Sequence, residues 1–373
     1  MSPRSQFHVS TRSVDGLVDR LVSLTPSDSG VGIALLAGEL GANISAVAEL
    51  LARKMPTMKW LVSSTFGVFT EKGTSQEASI GLGMWLPGDT QLLGGEKADS
   101  EFGDLLADTL LGCPGTAALV LTSAPPTDDS WLAPLRARRK NQAVSLIGAS
   151  IPEESGAYLV HGQTARAVAI GAVILGRSHT SGIVSSSACR LLGPLGRVTK
   201  VQGKGLLEID EVPALSVLAQ RTEHLEDKPL VFIALAAGER PLAPEGRNLS
   251  LQPIVGVDPA RQSLLLSREI ALNTRVGFAV ADAQISRVDF AAHLGKLRRG
   301  RAGAAPSFGL YIQGAGRGSE LYGSANADPR MIQKEFPGMP FIGVHSPYQW
   351  TAFGDNIVPQ ILSGVLGVFS QPS

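Results

Sequence analysis

The sequence is short of cysteine: Cys113 and Cys189 are the only two in 373 residues. Two thiols make neither a disulfide framework nor a zinc cage, and this usage suits a reducing interior compartment. Neither sign of charge is in excess, with 33 Lys and Arg against 33 Asp and Glu. A neutral chain without a basic stripe lacks the phosphate-neutralising charge that nucleic-acid binding draws on. Its basic concentrations, Arg136 to Lys140 and Lys296 to Arg301, fall in the last turns of expected helices, where they complement the macrodipole and read as solvated helix ends. Long apolar runs are missing too. None approaches the roughly 20 residues of a membrane helix, and the longest, around Ala165 to Gly176, is interrupted by Gly171 and reads as a buried strand.

Catalytic patterns are equally sparse. Asp128-Asp129 precedes an expected helix and reads as cap and dipole compensation, and Glu153-Glu154 lies in a loop; neither pair has an evident partner for acid/base work. His8, His179, His224 and His293 show no metal-ligand spacing.

What is present is one pattern written three times: apolar strand, small-residue turn, helix, a second strand breaking on Ser/Gly, and a third strand. The first copy has strands at Val31–Leu36, Lys59–Gly67 and Ala78–Leu86 around a helix at Ile44–Lys54. The second has Ala117–Thr122, a helix at Ser130–Lys140, Ala143–Ser150 and Ala165–Gly176. The third has Phe308–Gly314, a helix at Pro329–Phe336, Pro340–Ser346 and Ile361–Phe369. Such a unit is too long for a solenoid repeat and reads as duplicated α/β modules sharing a core. The expected fold is α/β: mixed β-sheets with helices packed outside, built from repeated strand-helix-strand-strand units in a layered sandwich. The strand-breaking loops of the copies face one rim and converge on one or two clefts.

Around the copies, Val14 to Leu24 is an amphipathic helix with Ser13 as N-cap. The first thirteen residues, with Arg4, His8 and Arg12 and no acid before it, read as a disordered tail or a short mitochondrial presequence. Arg197 to Asp210 alternates, a helix runs from Pro213 to Leu225, and short strands follow at Val231–Leu235, Leu249–Val257, Ser263–Leu266 and Val276–Val280, before a helix capped by Ser286. Charge and proline meet at Glu226-Asp-Lys-Pro, which divides the chain into a tail and helix (1–30), a first domain (31–226) and a second (227–373).

Three constellations stand at strand ends. Gln313-Gly-Ala-Gly-Arg-Gly-Ser places Gly314, Gly316 and Gly318 where backbone amides could approach an anion, with Arg317 as charged donor; a turn needing positive φ explains the glycines equally well. The dinucleotide spacing is absent. Ser63-Ser64-Thr65 offers three hydroxyls without a nucleophile elbow, so hydrogen bonding to a ligand or to their own loop is the expected role. His345 breaks the third copy's second strand at the level of Ser63 and Ser64, able to bond a ligand or ligate a metal or haem iron, with Tyr348 and Trp350 beside it to wall a pocket or pack a junction.

Cys189-Arg-Leu-Leu-Gly-Pro-Leu-Gly-Arg-Val-Thr-Lys-Val-Gln-Gly-Lys-Gly-Leu-Leu-Glu-Ile-Asp-Glu-Val-Pro-Ala-Leu resembles the stretch that closes the FIST N-terminal domain, and Tyr158-Leu-Val-His161-Gly is similar to its hairpin. Ile312-Gln-Gly-Ala-Gly-Arg-Gly, Phe336-Pro-Gly-Met-Pro-Phe-Ile-Gly and Gly256-Val-Asp-Pro resemble the FIST C-terminal domain. The likeness runs from about Val31 to Phe369. It implies an intracellular small-ligand sensor for signal transduction, cytoplasmic or else in the mitochondrial matrix. Because residues 1–373 show no fused kinase, chemoreceptor or F-box, output is expected through a separate protein partner. Some bacterial relatives resemble haem-bound nitric oxide sensors, for which His345 or His161 would be the iron ligand. Two loops depart from the family pattern: in one a cysteine and an acid are replaced by Ser63 and Val68, and in the other a second acid by Gln349.

The resulting expectation is a ligand site formed by Ser63, Ser64, Thr65, Gly314, Gly316, Arg317, Gly318, His345, Tyr348 and Gln349, with no catalytic residue and no dedicated metal. With the two acids gone and Arg317 left as the clearest charge, the ligand should be neutral or anionic. A hydrolase or transferase using the same cleft, a haem gas sensor and a protein-interaction adaptor are the other readings.

Overall fold

The computed structural model describes residues 6–10, 13–23, 31–74, 79–86, 89–123, 129–139, 142, 144–174, 180–226, 229–236, 249–300, 305–353 and 356–370. Each sequence copy becomes a module of one plan. The first runs β1 (Gln6–Ser10), α1 (Val14–Ser23), β2 (Val31–Gly38), α2 (Glu39–Ala42), α3 (Ile44–Lys54), β3 (Lys59–Ser64), a hairpin of β4 (Val68–Thr70) and β5 (Gly73–Thr74), and β6 (Ser79–Leu86). The second runs β7 (Gln91–Gly95), α4 (Ser100–Leu111), β8 (Ala117–Thr122), a 3-10 turn (Ser130–Leu132) leading into α5 (Ala133–Arg138), β9 (Ser145–Ser150), a hairpin of β10 (Ala157–Val160) and β11 (Thr164–Ala167), and β12 (Ala169–Ile174).

The third module begins with β13 (Thr180–Ser187) and is then interrupted. The insertion carries β14 (Cys189–Leu191), β15 (Gly196–Gln202), β16 (Gly205–Ile209), β17 (Val212–Pro213), α6 (Ala214–Thr222), β18 (Val231–Ala236), β19 (Leu249–Asp258), β20 (Ser263–Leu266) and β21 (Arg275–Ala281). The module resumes with α7 (Ala283–Gly300), β22 (Pro306–Gly314), α8 (Ser319–Tyr322), α9 (Ala327–Glu335), β23 (Phe341–Ser346), a hairpin of β24 (Gln349–Phe353) and β25 (Asn356–Gln360), and β26 (Ser363–Ser370).

In every module the two strands joined by a helix pair in parallel: β2 with β3, β8 with β9, β22 with β23. The last strand lies antiparallel beside the first of them, and the leading strand lies outside it: β1-β6-β2-β3, β7-β12-β8-β9 and β13-β26-β22-β23. The hairpins are exchanged in a ring. The first module's β4 pairs with β23 of the third, the second's β10 with β3 of the first, and the third's β24 with β9 of the second. Three six-stranded sheets thus share strands around a pseudo-threefold arrangement. Strands from before and after residue 227 pair within it; Asp227 itself lies outside the described residues. The first residues, expected as a tail, supply β1, paired with β6.

Strand alternation explains the packing, because successive side chains point to opposite faces. Val31, Ile33 and Leu35, Ala117, Leu119 and Leu121, and Phe308, Leu310 and Ile312 face inward and form one core shared by the three sheets. The outward faces are covered by helices: α1 and α3 on the first sheet, α4 and α5 on the second, α7 and α9 on the third. Full burial of each Leu or Val contributes about 1.5–3 kcal/mol over exposure. The inserted strands are antiparallel and close on themselves in the order β21-β15-β16-β20-β19-β18-β21, a six-stranded barrel with its own core of Val198, Leu206, Ile233, Leu264, Val276 and Phe278.

Local details differ from the sequence expectation in two places. The helix expected to start at Ser286 starts at Ala283, with Asp282 Oδ1 accepting from the Ile285 N–H at 2.9 Å; Ser286 is buried inside it. Arg136 and Arg138 are not simply solvated: they pair with Asp129 and with Asp104 and Asp108. Ser13 behaves as expected, accepting from the Gly16 N–H at 3.2 Å.

Candidate functional site

Three matching hydrogen bonds fix the level of the strand ends. Ser64 N donates to Gly156 O (3.4 Å), Ser150 N to Tyr348 O (3.0 Å) and His345 N to Gly67 O (2.9 Å), each crossing to the hairpin of another module. Ser64, Ser150 and His345 are therefore equivalent positions, all at the carboxyl ends of parallel strand pairs, where α/β folds bind ligands. Val68, Ala157 and Gln349 sit level with one another in the exchanged hairpins.

The first module's hydroxyls serve their own loop. Ser63 Oγ donates to Ser64 O (2.9 Å) and Thr65 Oγ1 to Leu36 O (3.0 Å), and Ser63, Ser64 and Thr65 are all buried. Ser150 and Ser346 join the second and third modules through a 2.9 Å hydroxyl contact, and Ser346 Oγ also lies 2.6 Å from Tyr348 O. Gln349 is fully buried, its Nε2 donating to Ser346 O at 2.7 Å and its Oε1 accepting from the Ser363 N–H at 3.3 Å. His345 is half-buried, with its ring against Gly67 and 5.1 Å from the Phe69 ring. Burial lowers its pKa, opposed by the charge of Asp328. His161 lies in the turn after β10, its N–H donating to Gln163 O.

The glycine turn is braced by backbone hydrogen bonds. Arg317 N donates to Gly314 O and Ala315 N to Ser346 O, while Gly318 (φ 72°, ψ −128°) has nearly the conformation of Gly38 (φ 63°, ψ −138°) at the matching place in the first module. A left-handed φ favours glycine at both. Arg317 is completely buried and forms a fork on Asp328, Nε to Oδ2 at 2.9 Å and Nη2 to Oδ1 at 3.0 Å. Its remaining donors reach Tyr322 Oη (2.7 Å), Ser186 O (3.2 Å) and Leu362 O (3.4 Å). Tyr311 Oη (2.7 Å) and Gln313 Nε2 (2.9 Å) also donate to Asp328. Burial works to raise the Asp328 carboxyl, but the Arg317 charge and these hydrogen bonds outweigh it and hold it below the ordinary range. Burial and the Asp328 charge push Tyr311 well up; Tyr322 rises to about 12, chiefly through burial. The charge expected to meet a ligand is therefore neutralised inside the third module. Asp328 had no signal in the sequence beyond that of an ordinary acid in a helix's first turn.

Tyr348 faces an opening. A cavity of about 30 Å³ lies between the barrel and the β24–β25 hairpin, walled by Leu251, Pro253, Ser267, Arg268, Tyr348, Pro359 and Ile361. Arg268 Nη2 donates to Pro359 O (3.1 Å); Arg136 Nη2 donates to Ile357 O, two residues earlier on the same strand, and to Asp129 (2.6 Å each). Burial lowers the pKa of Arg268; Asp129 opposes this and the neighbouring Arg136 charge adds to it. Among the described residues no carboxylate lies within ion-pair distance of Arg268. Arg268 escaped the sequence reading because nothing local distinguishes it from a charged residue in a turn.

Ser186, Asp289 and His293 lie together, but the order is wrong for nucleophilic catalysis. Buried Ser186 donates to Asp289 Oδ2 (2.6 Å), and His293 Nδ1 lies 2.9 Å from Asp289 O, so no base faces the serine hydroxyl. No group of three or more His, Cys, Asp or Glu among the described residues could hold a metal ion.

Among the described residues no helix is long and apolar enough to cross a membrane. No curated protein matches the chain. Residues 32–212 match the FIST N domain, a span that takes in the first module from β2 onward, the second module, β13 and the first strands of the barrel. The chain thus carries a FIST N domain over residues 32–212.

Proposed function

We propose that this protein is a small-ligand sensor that takes a neutral or anionic ligand in the Arg268–Tyr348 cleft and passes the signal to a separate protein partner. The observation that carries the reading is the cleft itself: it lies at the seam between the inserted barrel and the three-module body, and among the described residues its half-buried guanidinium is bound only to a backbone carbonyl. A guanidinium so placed gains a charge-assisted pair with a carboxylate or phosphate oxygen, worth about 1.5–3 kcal/mol. A ligand bridging Ser267 and Arg268 on one side and Tyr348 on the other would fix the barrel against the hairpin, which supplies a route from binding to output. The family is associated with small-ligand sensing, and the FIST C-like motifs at Gly256, Ile312 and Phe336 extend the likeness through the third module. The two cysteines, neither in a disulfide, suit a cytoplasmic setting.

Thermal-shift screening with carboxylates, phosphates and amines at constant ionic strength tests this. Anionic or neutral compounds should raise the unfolding temperature, and Arg268→Gln should abolish the rise given by acetate or inorganic phosphate, compact anions without an apolar tail. Stabilisation by amines alone, or an unchanged response in the variant, would overturn it.

A further inference from the structure

The barrel has another cavity, which shares no lining residue with the Arg268 cleft. It measures about 170 Å³, room for roughly six waters at about 30 Å³ each. It lies between α6, the turn joining β16 to β17 and the segment 192–196. Its floor is apolar, made by Ile209, Val276 and Phe278 of the barrel core with Val217 of α6. Its rim is ionic, with Arg221 and Asp210.

The two charges are differently engaged. Asp210 Oδ1 accepts the Arg197 N–H at 2.8 Å, whereas the Arg221 side chain has no hydrogen-bond or ion-pair partner among the described residues. Gly193 makes room for it: a Cβ at that position would stand 2.7 Å from Arg221 Nη1. Asp210 and Glu211, at φ 50° and 65°, form the two-residue turn between paired Ile209 and Val212, a conformation that usually calls for Asn-Gly. Such strained backbone persists where the surroundings over-determine it, commonly at ligand clamps.

We propose that this cavity binds a small amphipathic monoanion, a carboxylate head on Arg221 with an apolar tail of about four to six carbons against Ile209, Val217, Val276 and Phe278. The planar guanidinium matches a carboxylate in two parallel hydrogen bonds. The apolar floor gives a tail what a compact inorganic anion cannot use. Asp210 beside the head repels a second negative charge, which selects a monoanion over a phosphate dianion.

Isothermal titration calorimetry of the full chain with hexanoate as probe tests the assignment, with hexylamine and inorganic phosphate as comparators at constant ionic strength. Hexanoate should bind with a negative heat-capacity change and be displaced by neither comparator. Arg221→Ala, at a half-buried helix position, should weaken binding about tenfold or more. Val217→Trp, filling the cavity, should abolish it while the folded spectrum is kept. Arg268→Gln should retain the hexanoate affinity, which separates this site from the proposed sensor cleft. No binding of hexanoate, equal affinity in Arg221→Ala, displacement by hexylamine or phosphate, or loss of the site in Arg268→Gln would each overturn the assignment.

Discussion

Between the helices and the sheet of the first module lie apolar side chains, Leu17, Val18, Leu36, Val47, Trp60 and Val62 among them. The matching layer of the third module holds Arg317, Asp328, Tyr311, Gln313 and Tyr322 around one fork of hydrogen bonds. Both layers lie on the same strand plan, so the plan does not demand the ion pair. What distinguishes the third module is its interruption: the barrel separates β13 from α7. The polar cluster spans that break. It includes Ser186 from before the insertion, Ser286 from after it, Arg317 and Asp328 from beyond β22, and the carbonyl of Leu362 ahead of β26. Apolar contacts are non-directional, whereas a buried fork accepts one arrangement, so the cluster fixes how the divided pieces of the module meet.

That comparison breaks most visibly at the ion pair. Asp328→Asn or Arg317→Met leaves a buried charge without its partner and should cost about 3–5 kcal/mol, read as a lowered urea midpoint. A loss under about 1 kcal/mol would place the cluster among the weak pairs and end its role as a fastener.

A smaller effect is expected where the exchanged hairpins lie on their neighbours. Trp350 packs over Gly148 and Phe69 over Gly343, whereas the first module sets Tyr158 opposite Val62. Gly343→Val, which writes the first module's residue into the third, drives a side chain into the Phe69 ring and should cost about 1–3 kcal/mol. Unchanged stability would show that the hairpin seats loosely.

The two histidines near the cluster should act in opposite directions, and the effect is smaller still. Burial lowers His345, so the native state binds fewer protons than the unfolded one; its contribution is present above the unfolded value of about 6.5 and is lost as pH falls through the depressed folded value. Burial also works to lower His293, but its hydrogen bonds to Asp289 and that charge raise it overall. Its contribution is present below about 6.5 and is lost as pH rises through the raised value. Across about pH 5 to 8, His345→Gln should flatten the acid side of the stability profile and His293→Gln the alkaline side. Parallel profiles for wild type and both variants would contradict these assignments.

The modules were legible in the sequence because their signals are local. Apolar runs marked β2, β8 and β22, and glycine, serine and proline marked the ends. The ring exchange was not, since nothing in Val68–Thr74 states that its partner is β23 some 270 residues later. Barrel closure is hidden for the same reason, because β18 and β21 pair only when the sheet curls. At the candidate site, register put His345 level with Ser63 and Ser64, and the structure sets it level with Ser64; its bond to Gly67 in another module had no sequence signal. The charge of Arg317 could not be weighed without Asp328, whose helix position gives no hint that it is buried. Arg268 acquires its meaning only from the barrel's contact with β25.

The seam between barrel and body is where the account is most exposed. Hydrogen–deuterium exchange of the full chain, with and without acetate or inorganic phosphate as probe, reads both sides at once. The account predicts that an anion protects the barrel edge at 249–253 and 266–268 together with residues 348–353 and 356–361, and that Arg268→Gln removes both effects. Protection confined to one side, or unchanged in the variant, would contradict a ligand that joins the two.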